Sequence, residues 1–417
     1  MRLSPDEQRV LDSIADRGRD IVGRAVDWCA VNSGSRNLEG LERQRALLIE
    51  AFAALPSAPV DIPLSASSDI GADGALRQQA HPSAIAVIVR PEAPVQVVLT
   101  GHYDTVYPAD TAFQTVATRP DGALHGPGVA DMKGGISVML AALEALEAHP
   151  AAANLGYRVL LSPDEEIGSL ASAPVLAEFA ALGHVGMTYE PALSDGTLAG
   201  ARKGSGNFHA VIHGRAAHAG RDFALGRNAI TAAARIVGAL DALNGQREGV
   251  TVNVAKIDGG SPLNMVPDVA VVRFNVRFPD ADAGEWAQAA ITEAIKAGQG
   301  DDLHIHLHGG FTRPAKPMNA AQSQLFEAVR EAGALLGQEI AWKPSGGVCE
   351  GNNLFASGLP NVDTLGVRGG DIHSENEFAW PDSFVERAQL SALILMKLAQ
   401  GEIDGPAIRA AMSLRTE

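Results

Sequence analysis

Gln96-Val97-Val98-Leu99-Thr100-Gly101-His102-Tyr103-Asp104-Thr105-Val106 is an apolar run of strand type that delivers a histidine and an aspartate at its end. A polar loop follows, and Leu124-His125-Gly126-Pro127-Gly128-Val129-Ala130-Asp131-Met132-Lys133-Gly134-Gly135 then opens an Ala- and Leu-rich helical run from Ile136 to about His149. His102 thus comes just after a strand and Asp131 just before a helix, where an open α/β sheet gathers its ligands. The stretch predicts a metal centre.

Outward from it the same grammar recurs. The strand Tyr157 to Leu161 runs into Asp164-Glu165-Glu166, and the strand around His184 to Thr188 ends in Tyr189-Glu190-Pro191. Upstream, helical periodicity covers Ser4 to Asn32, opened by Ser-Pro-Asp-Glu, and a second amphipathic helix covers Gly40 to Leu55. Strands at 60–64, 84–89 and 95–100 complete an alternation that indicates an α/β sheet covered on both faces. From about Gly204 the order becomes β-α-β-β-α-β, with strands at 206–213, 251–258, 269–278 and 303–308 and helices at 227–243 and 283–297, the order of a ferredoxin-like unit. The expectation is a discontinuous catalytic domain of mixed-sheet α/β type over 1–203 and 315–417, with an α+β insert over 204–314.

The chain's 417 residues, 46% of them hydrophobic, suffice for a full core and more than one domain. A formal charge of −16, from 33 basic and 49 acidic residues, argues against nucleic acid or an anionic membrane as partner. The N-terminus shows no apolar signal core, and no apolar run reaches membrane-spanning length. Two cysteines, Cys29 and Cys349, are too few for a disulfide framework. A cytoplasmic protein is expected.

His102, Asp131, the pair Glu165-Glu166, Glu190 and His373 all fall at strand-to-helix transitions or in Gly-rich turns, so they can converge on one sheet edge. Two histidines, a central aspartate and two glutamates suit a pair of borderline ions, Zn²⁺ first. Asp131 is the best bridge by its central place, and Asp104 is placed to accept the other ring N–H of His102. Two ions about 3.5–4 Å apart can share and activate a water. Of the adjacent Glu165 and Glu166, one can bind metal while the other takes the proton. The alternation His304, His306, His308 along a strand puts three rings on one face, read as a solvated face that could bind adventitious metal.

His102-Tyr103-Asp104, Gly126 to Gly135, Asp164-Glu165-Glu166, Glu190-Pro191, Gly214-Arg215-Ala216-Ala217-His218-Ala219-Gly220 and His373-Ser374 together resemble the M20 metallopeptidase family, its glutamate carboxypeptidases most closely. The resemblance implies that His102 and Glu190 hold one zinc, Glu166 and His373 the other, and that Asp131 bridges them, two Zn²⁺ per subunit. It implies Glu165 as general base, a cis Asp131-Met132 peptide, and an insert serving as lid and dimerisation domain of a homodimer. His218, reaching in from the partner subunit, would donate to the oxyanion. Asn264 would hold substrate, and Arg277 and Arg313 would bind its carboxylate. One segment departs from the family's Gly-Gly-Gly-Thr-Asp: here Gly346-Gly347-Val348-Cys349-Glu350.

The expected function is a zinc-dependent amidohydrolase that releases a C-terminal amino acid, glutamate first, from a small amide or peptide with a free carboxylate. The rival reading is an N-acyl amino acid deacylase of acetylornithine deacetylase or aminoacylase type. A non-catalytic binding member of the fold would have lost ligands or Glu165, and a single-metal aminopeptidase would lack one ligand; this chain retains the set.

Overall fold

The computed structural model describes residues 2–413. Its main sheet has six strands in the order Val60–Ile62, Ala84–Val89, Leu155–Ser162, Val95–His102, Val185–Thr188, Asn361–Val362. The first two pairings are antiparallel and the rest parallel. Alternation along Val95–His102 sends Val97 and Leu99 to one face and Val98 to the other. The first face meets the helices Pro5–Asp16, Gly18–Cys29, Lys133–Glu147 and Asp382–Gln400. The second meets Leu176, Phe179 and Leu354 of two shorter helices, Ala173–Leu182 and Glu350–Ala356. Burial on both faces is what a parallel strand needs, and it explains why these strands read as continuous apolar runs.

Register brings the parallel strands to one edge together. His102 lies opposite Ser162, and Thr100 opposite Thr188, their hydroxyls 2.8 Å apart. The turns that follow carry Glu165, Glu166 and Glu190.

The expected helix from Ser4 to Asn32 is broken. Arg17, at φ −97° and ψ 10°, ends one helix and starts the next. The second helix starts close against the C-terminal helix, where a Cβ on Gly18 would stand 2.9 Å from Val385.

The segment from Gly204 builds a second sheet, wholly antiparallel, in the order Thr251–Gly259, Val269–Phe278, Gly204–His213, His304–Arg313. Helices Ala229–Asp241 and Ala281–Lys296 cover one face around Phe208, Ile212, Ile236, Phe274 and Ile291. This is the ferredoxin-like order. The opposite face, bearing Ser205, Asn207, His209, Val211 and His213, has no helix. A hairpin that the sequence did not announce, Ser67–Ile70 with Leu76–Gln79, lays its tip there: Ile70 packs on Val211 and Val271, and Arg273 Nη2 donates to Gly71 O at 3.0 Å. Among the described residues no helix is long and apolar enough to cross a membrane.

The seat of helix Lys133–Glu147 against the strand end is tight, because a Cβ at Gly135 would lie 2.0 Å from the backbone oxygen of Tyr189. Gly135→Ala is therefore expected to cost about 1–3 kcal/mol or more, read as a lowered urea midpoint. An unchanged midpoint would mean that the helix is not pinned there.

Candidate metal centre and active site

Asp131 is the hub of the site. Its Oδ1 lies 3.1 Å from His102 Nε2, which also approaches Glu190 Oε1 at 3.7 Å. Its Oδ2 lies 3.2 Å from His373 Nε2, which in turn lies 3.1 Å from Glu166 Oε2. Two groups of three donors result, His102 with Asp131 and Glu190, and Asp131 with Glu166 and His373, each with its ligand atoms within 4.8 Å of one another. One oxygen of the shared carboxylate faces each group. The Asp131-Met132 peptide is cis.

Local structure explains the convergence. His102 ends its strand, and its Nδ1 lies 3.0 Å from the carbonyl oxygen of Asp104 and 3.4 Å from its carboxylate. The backbone oxygen is the nearer acceptor, because the Asp104 carboxylate is largely used elsewhere. It accepts from Glu165 N at 3.1 Å, Glu166 N at 3.2 Å and Ser35 Oγ at 2.8 Å. It thereby fixes the turn that presents both glutamates. His373, at φ +63°, sits in a turn between two short strands, Gly369–Gly370 and Phe378–Ala379. The second of these pairs with Leu124–His125, which leads into the Asp131 loop.

That loop is held by a carboxylate that motif reading passed over. Glu377 Oε1 accepts from the amides of Ala130 and Asp131 at 2.9 and 3.0 Å. Its Oε2 accepts from Gly128 N at 3.1 Å and from the Tyr107 hydroxyl at 2.7 Å. Its only trace in the sequence is a glutamate four residues after His373.

Charge crowding tests whether a cation suits the site. Burial, and then Asp131 nearby, push Glu166 well above the usual carboxylate range and Glu190 up to about 7. Burial opposes ionisation of Asp131 too, but the two histidines hold it below its ordinary value. His373 rises to about 11 beside Asp131 and Glu166. Burial disfavours the His102 imidazolium, yet Asp104, Asp131 and Glu190 raise it well above an ordinary histidine. Glu166 Oε1 is buried with no hydrogen-bond partner. A donor set of imidazoles and excess carboxylate with an orphan oxygen fits a pair of divalent cations.

The remaining predicted residues divide. Glu165 is buried, and Arg313 Nη2 donates to its Oε1 at 2.5 Å and to its carbonyl oxygen at 3.0 Å. Arg313 also reaches Ser169 Oγ and Asn353 Oδ1, so its fork is occupied inside the protein. Arg277 differs: Nε donates to Asn275 Oδ1 at 2.9 Å, while Nη1 is buried without a partner. It lines a cavity of about 540 Å³ together with Asp131, Glu165, Glu190, His373 and Asn207. His218 and Asn264 do not line it. They meet each other on the insert, where Ala219 N donates to Asn264 O and the exposed His218 pairs with Met265.

The model of peptidase family M20/M25/M40 matches residues 98–397, a span that holds all five candidate ligands. The chain belongs to this family. It is accordingly a hydrolase of a metal-dependent family, as the resemblance implied. Carboxypeptidase G2 of Pseudomonas sp. (strain RS-16) is 26% identical over 312 residues, covering 73% of this chain and 74% of that one. Succinyl-diaminopimelate desuccinylase 2 of Shewanella loihica is 28% identical over 315 residues, covering 69% and 80%. An M20 family metallo-carboxypeptidase from Sulfolobus solfataricus superposes with a TM-score of 0.70 at 16% identity, covering 90% of this chain and 98% of that one. The M20 chain is thus matched in fold over nine-tenths of its length.

Glu377→Gln removes an acceptor from four donors that need two oxygens. The expected result is roughly a 10- to 100-fold loss of metal affinity, measured by competition with a chromophoric chelator, with far-ultraviolet circular dichroism unchanged. Retained affinity would show that Glu377 does not set the Asp131 loop.

Proposed function

We propose that this M20 protein is a di-zinc hydrolase that cleaves the amide bond to a C-terminal amino acid, with glutamate as first choice. The observation that carries the reading is one cavity whose lining holds residues of both donor groups together with Arg277, a guanidinium whose Nη1 has no partner in the protein. Further positive charge in that wall supports an acidic leaving residue. Arg202 is gripped through Nε and Nη2 by buried Asp363 at 2.7 and 3.0 Å, and Lys316 braces the same carboxylate at 2.5 Å. Its Nη1 stays on the cavity side near Gly347, and Lys343 joins the lining.

In this reading His102 and Glu190 would hold one ion, Glu166 and His373 the other, with Asp131 shared between the two groups. When bound, the ions would supply polarisation of the scissile carbonyl and a water of lowered pKa. Glu165 would take a proton as general base and pass it to the leaving amine. Arg313 occupies Oε1, so Oε2 is the oxygen that carries the proton. Arg277 takes the substrate carboxylate as a forked donor, a task for which Arg313 is not free in this arrangement. His218 and Asn264 act from the partner subunit of a homodimer built on the insert, residues 204–314; that neither lines the chain's own cavity supports this. The buried thiols of Cys29 and Cys349 support a reducing, cytoplasmic setting.

Deacylation of an N-acyl amino acid is the second reading, favoured by the similarity to succinyl-diaminopimelate desuccinylases. One panel separates the two: N-acetyl and N-succinyl amino acids, dipeptides, and aroyl- and pteroyl-glutamates, each assayed after chelation and after added Zn²⁺. Zinc-restored cleavage of the glutamates is expected. Restoration with acylated amino acids alone would move the assignment to deacylation, and no turnover with metal bound would remove both. Glu165→Gln should keep its metal and lose about 10²- to 10⁴-fold in kcat; retained turnover would take Glu165 out of the base role.

A further inference from the structure

The helix-free face of the inserted sheet carries a second concentration of side chains able to bind metal. His304, His306 and His308 alternate along their strand and so share a face. Register sets His213 opposite His304 and His209 opposite His308. Five of the chain's 12 histidines therefore stand on one face of two neighbouring strands. This is the end of the sheet away from the cavity, where the same two strands pair Ser205 with Arg313.

The five are not equivalent. Among the described residues only His209 is hydrogen-bonded through its ring by another side chain, its Nδ1 accepting from Arg273 Nη1 at 2.9 Å. Arg273 also pairs with Asp258 and reaches the hairpin at Gly71, so that ring is engaged beside a fixed cation. His213, His304 and His306 are instead neighbours by register: one directly opposed pair, one i, i+2 pair, and one diagonal. Directly opposed residues on a sheet have Cβ atoms about 4.5–5.5 Å apart. The diagonal rings, His213 and His306, have centroids 6.3 Å apart, and His306 and His308 are 6.5 Å apart. Imidazoles sharing a tetrahedral ion through bonds of about 2.0–2.1 Å bring their centroids to roughly 5 Å, so the His213 and His306 rings must close by about an ångström and the His304 ring must turn in to meet them. Rotation at the side chain supplies this, because His304 and His306 are exposed and His213 is half-buried.

We propose that His213, His304 and His306 form a further metal site, separate from the centre around Asp131, for a borderline divalent cation such as Zn²⁺ or Ni²⁺. Three neutral imidazoles are a complete protein ligand set for such an ion, with the fourth position left to water. The ion would pin the return strand His304–Arg313 to Gly204–His213 at the end remote from the cavity. Hydrolytic turnover would not depend on it.

The test is equilibrium dialysis of the full chain against Zn²⁺, repeated with Ni²⁺, for the natural sequence, H304Q/H306Q and H209Q. The natural chain should bind one more ion than H304Q/H306Q, or bind it at least about tenfold more tightly. H209Q should match the natural chain, and turnover should be the same in all three. Equal stoichiometry and affinity in the natural chain and H304Q/H306Q would overturn the site. So would an equal loss in H209Q, which would show that the face as a whole attracts cations and no built triad does. Comparing the three chains by difference keeps the result independent of how many ions the Asp131 centre holds.

Discussion

Four carboxylates, those of Asp131, Glu165, Glu166 and Glu190, crowd into one pocket at the edge of the main sheet, and their repulsion is the constraint on which the site's construction depends. Removing such groups from water costs several kcal/mol per ion even after relaxation. The chain offsets part of this with two histidines on Asp131 and with Arg313 on Glu165. What is left over appears as carboxyl groups driven toward their protonated forms, Glu190 at about 7 and Glu166 well above normal. Positive charge placed between the two donor groups relieves all of these at once. A family of metal-dependent hydrolases therefore retains a geometry that would be costly in a metal-free protein.

Repulsion also means that the ligands will not stay aligned unless their backbones are fixed, and two further carboxylates fix them. Asp104 receives the amides of Glu165 and Glu166; Glu377 receives those of Gly128, Ala130 and Asp131. Both act on main-chain donors, which leaves the candidate ligand side chains free to face the cavity. Their difference in legibility is instructive. Asp104 lies two residues from His102, so its partnership was readable from spacing, although its carboxylate serves the turn more than the ring. Glu377 acts on amides about 250 positions away in sequence, and spacing carries no signal of that kind.

The same division runs through the fold. Strands buried on both faces, such as Val95–His102 and Leu155–Ser162, announce themselves as apolar runs, and the β-α-β-β-α-β order of the insert was readable from period alone. The hairpin Ser67–Ile70 with Leu76–Gln79 was not, because its strands are polar and short and only Ile70 is buried on the inserted sheet. The break at Arg17 was hidden too, since the apolar spacing runs on across it. The candidate ligands were legible from residue type at strand ends. The separate fates of Arg277 and Arg313 did not, since both are arginines near strand ends and only the pairing of Arg313 with Glu165 tells them apart.

That pairing separates two properties of the site. His102, Asp131, Glu166, Glu190 and His373 all ride on turns attached to the main sheet and its small companion strands. The cation that holds Glu165 rides on the last residue of the inserted sheet's return strand, and Arg277 rides on that sheet too. A rotation of one sheet against the other would therefore leave the metal-binding geometry untouched, while altering the contact on the proposed base and the position of the group offered to substrate. Hydrogen bonds of Arg313 to Ser169 and Asn353, both on the main-sheet side, resist that rotation near the crossing point. The hairpin resists it further out, where Arg36 ties Asp69 and Gln79 to the segment whose Ser35 contacts Asp104. With the proposed roles, metal affinity and turnover are set by different layers of the molecule, and substitutions at their junction should separate the two.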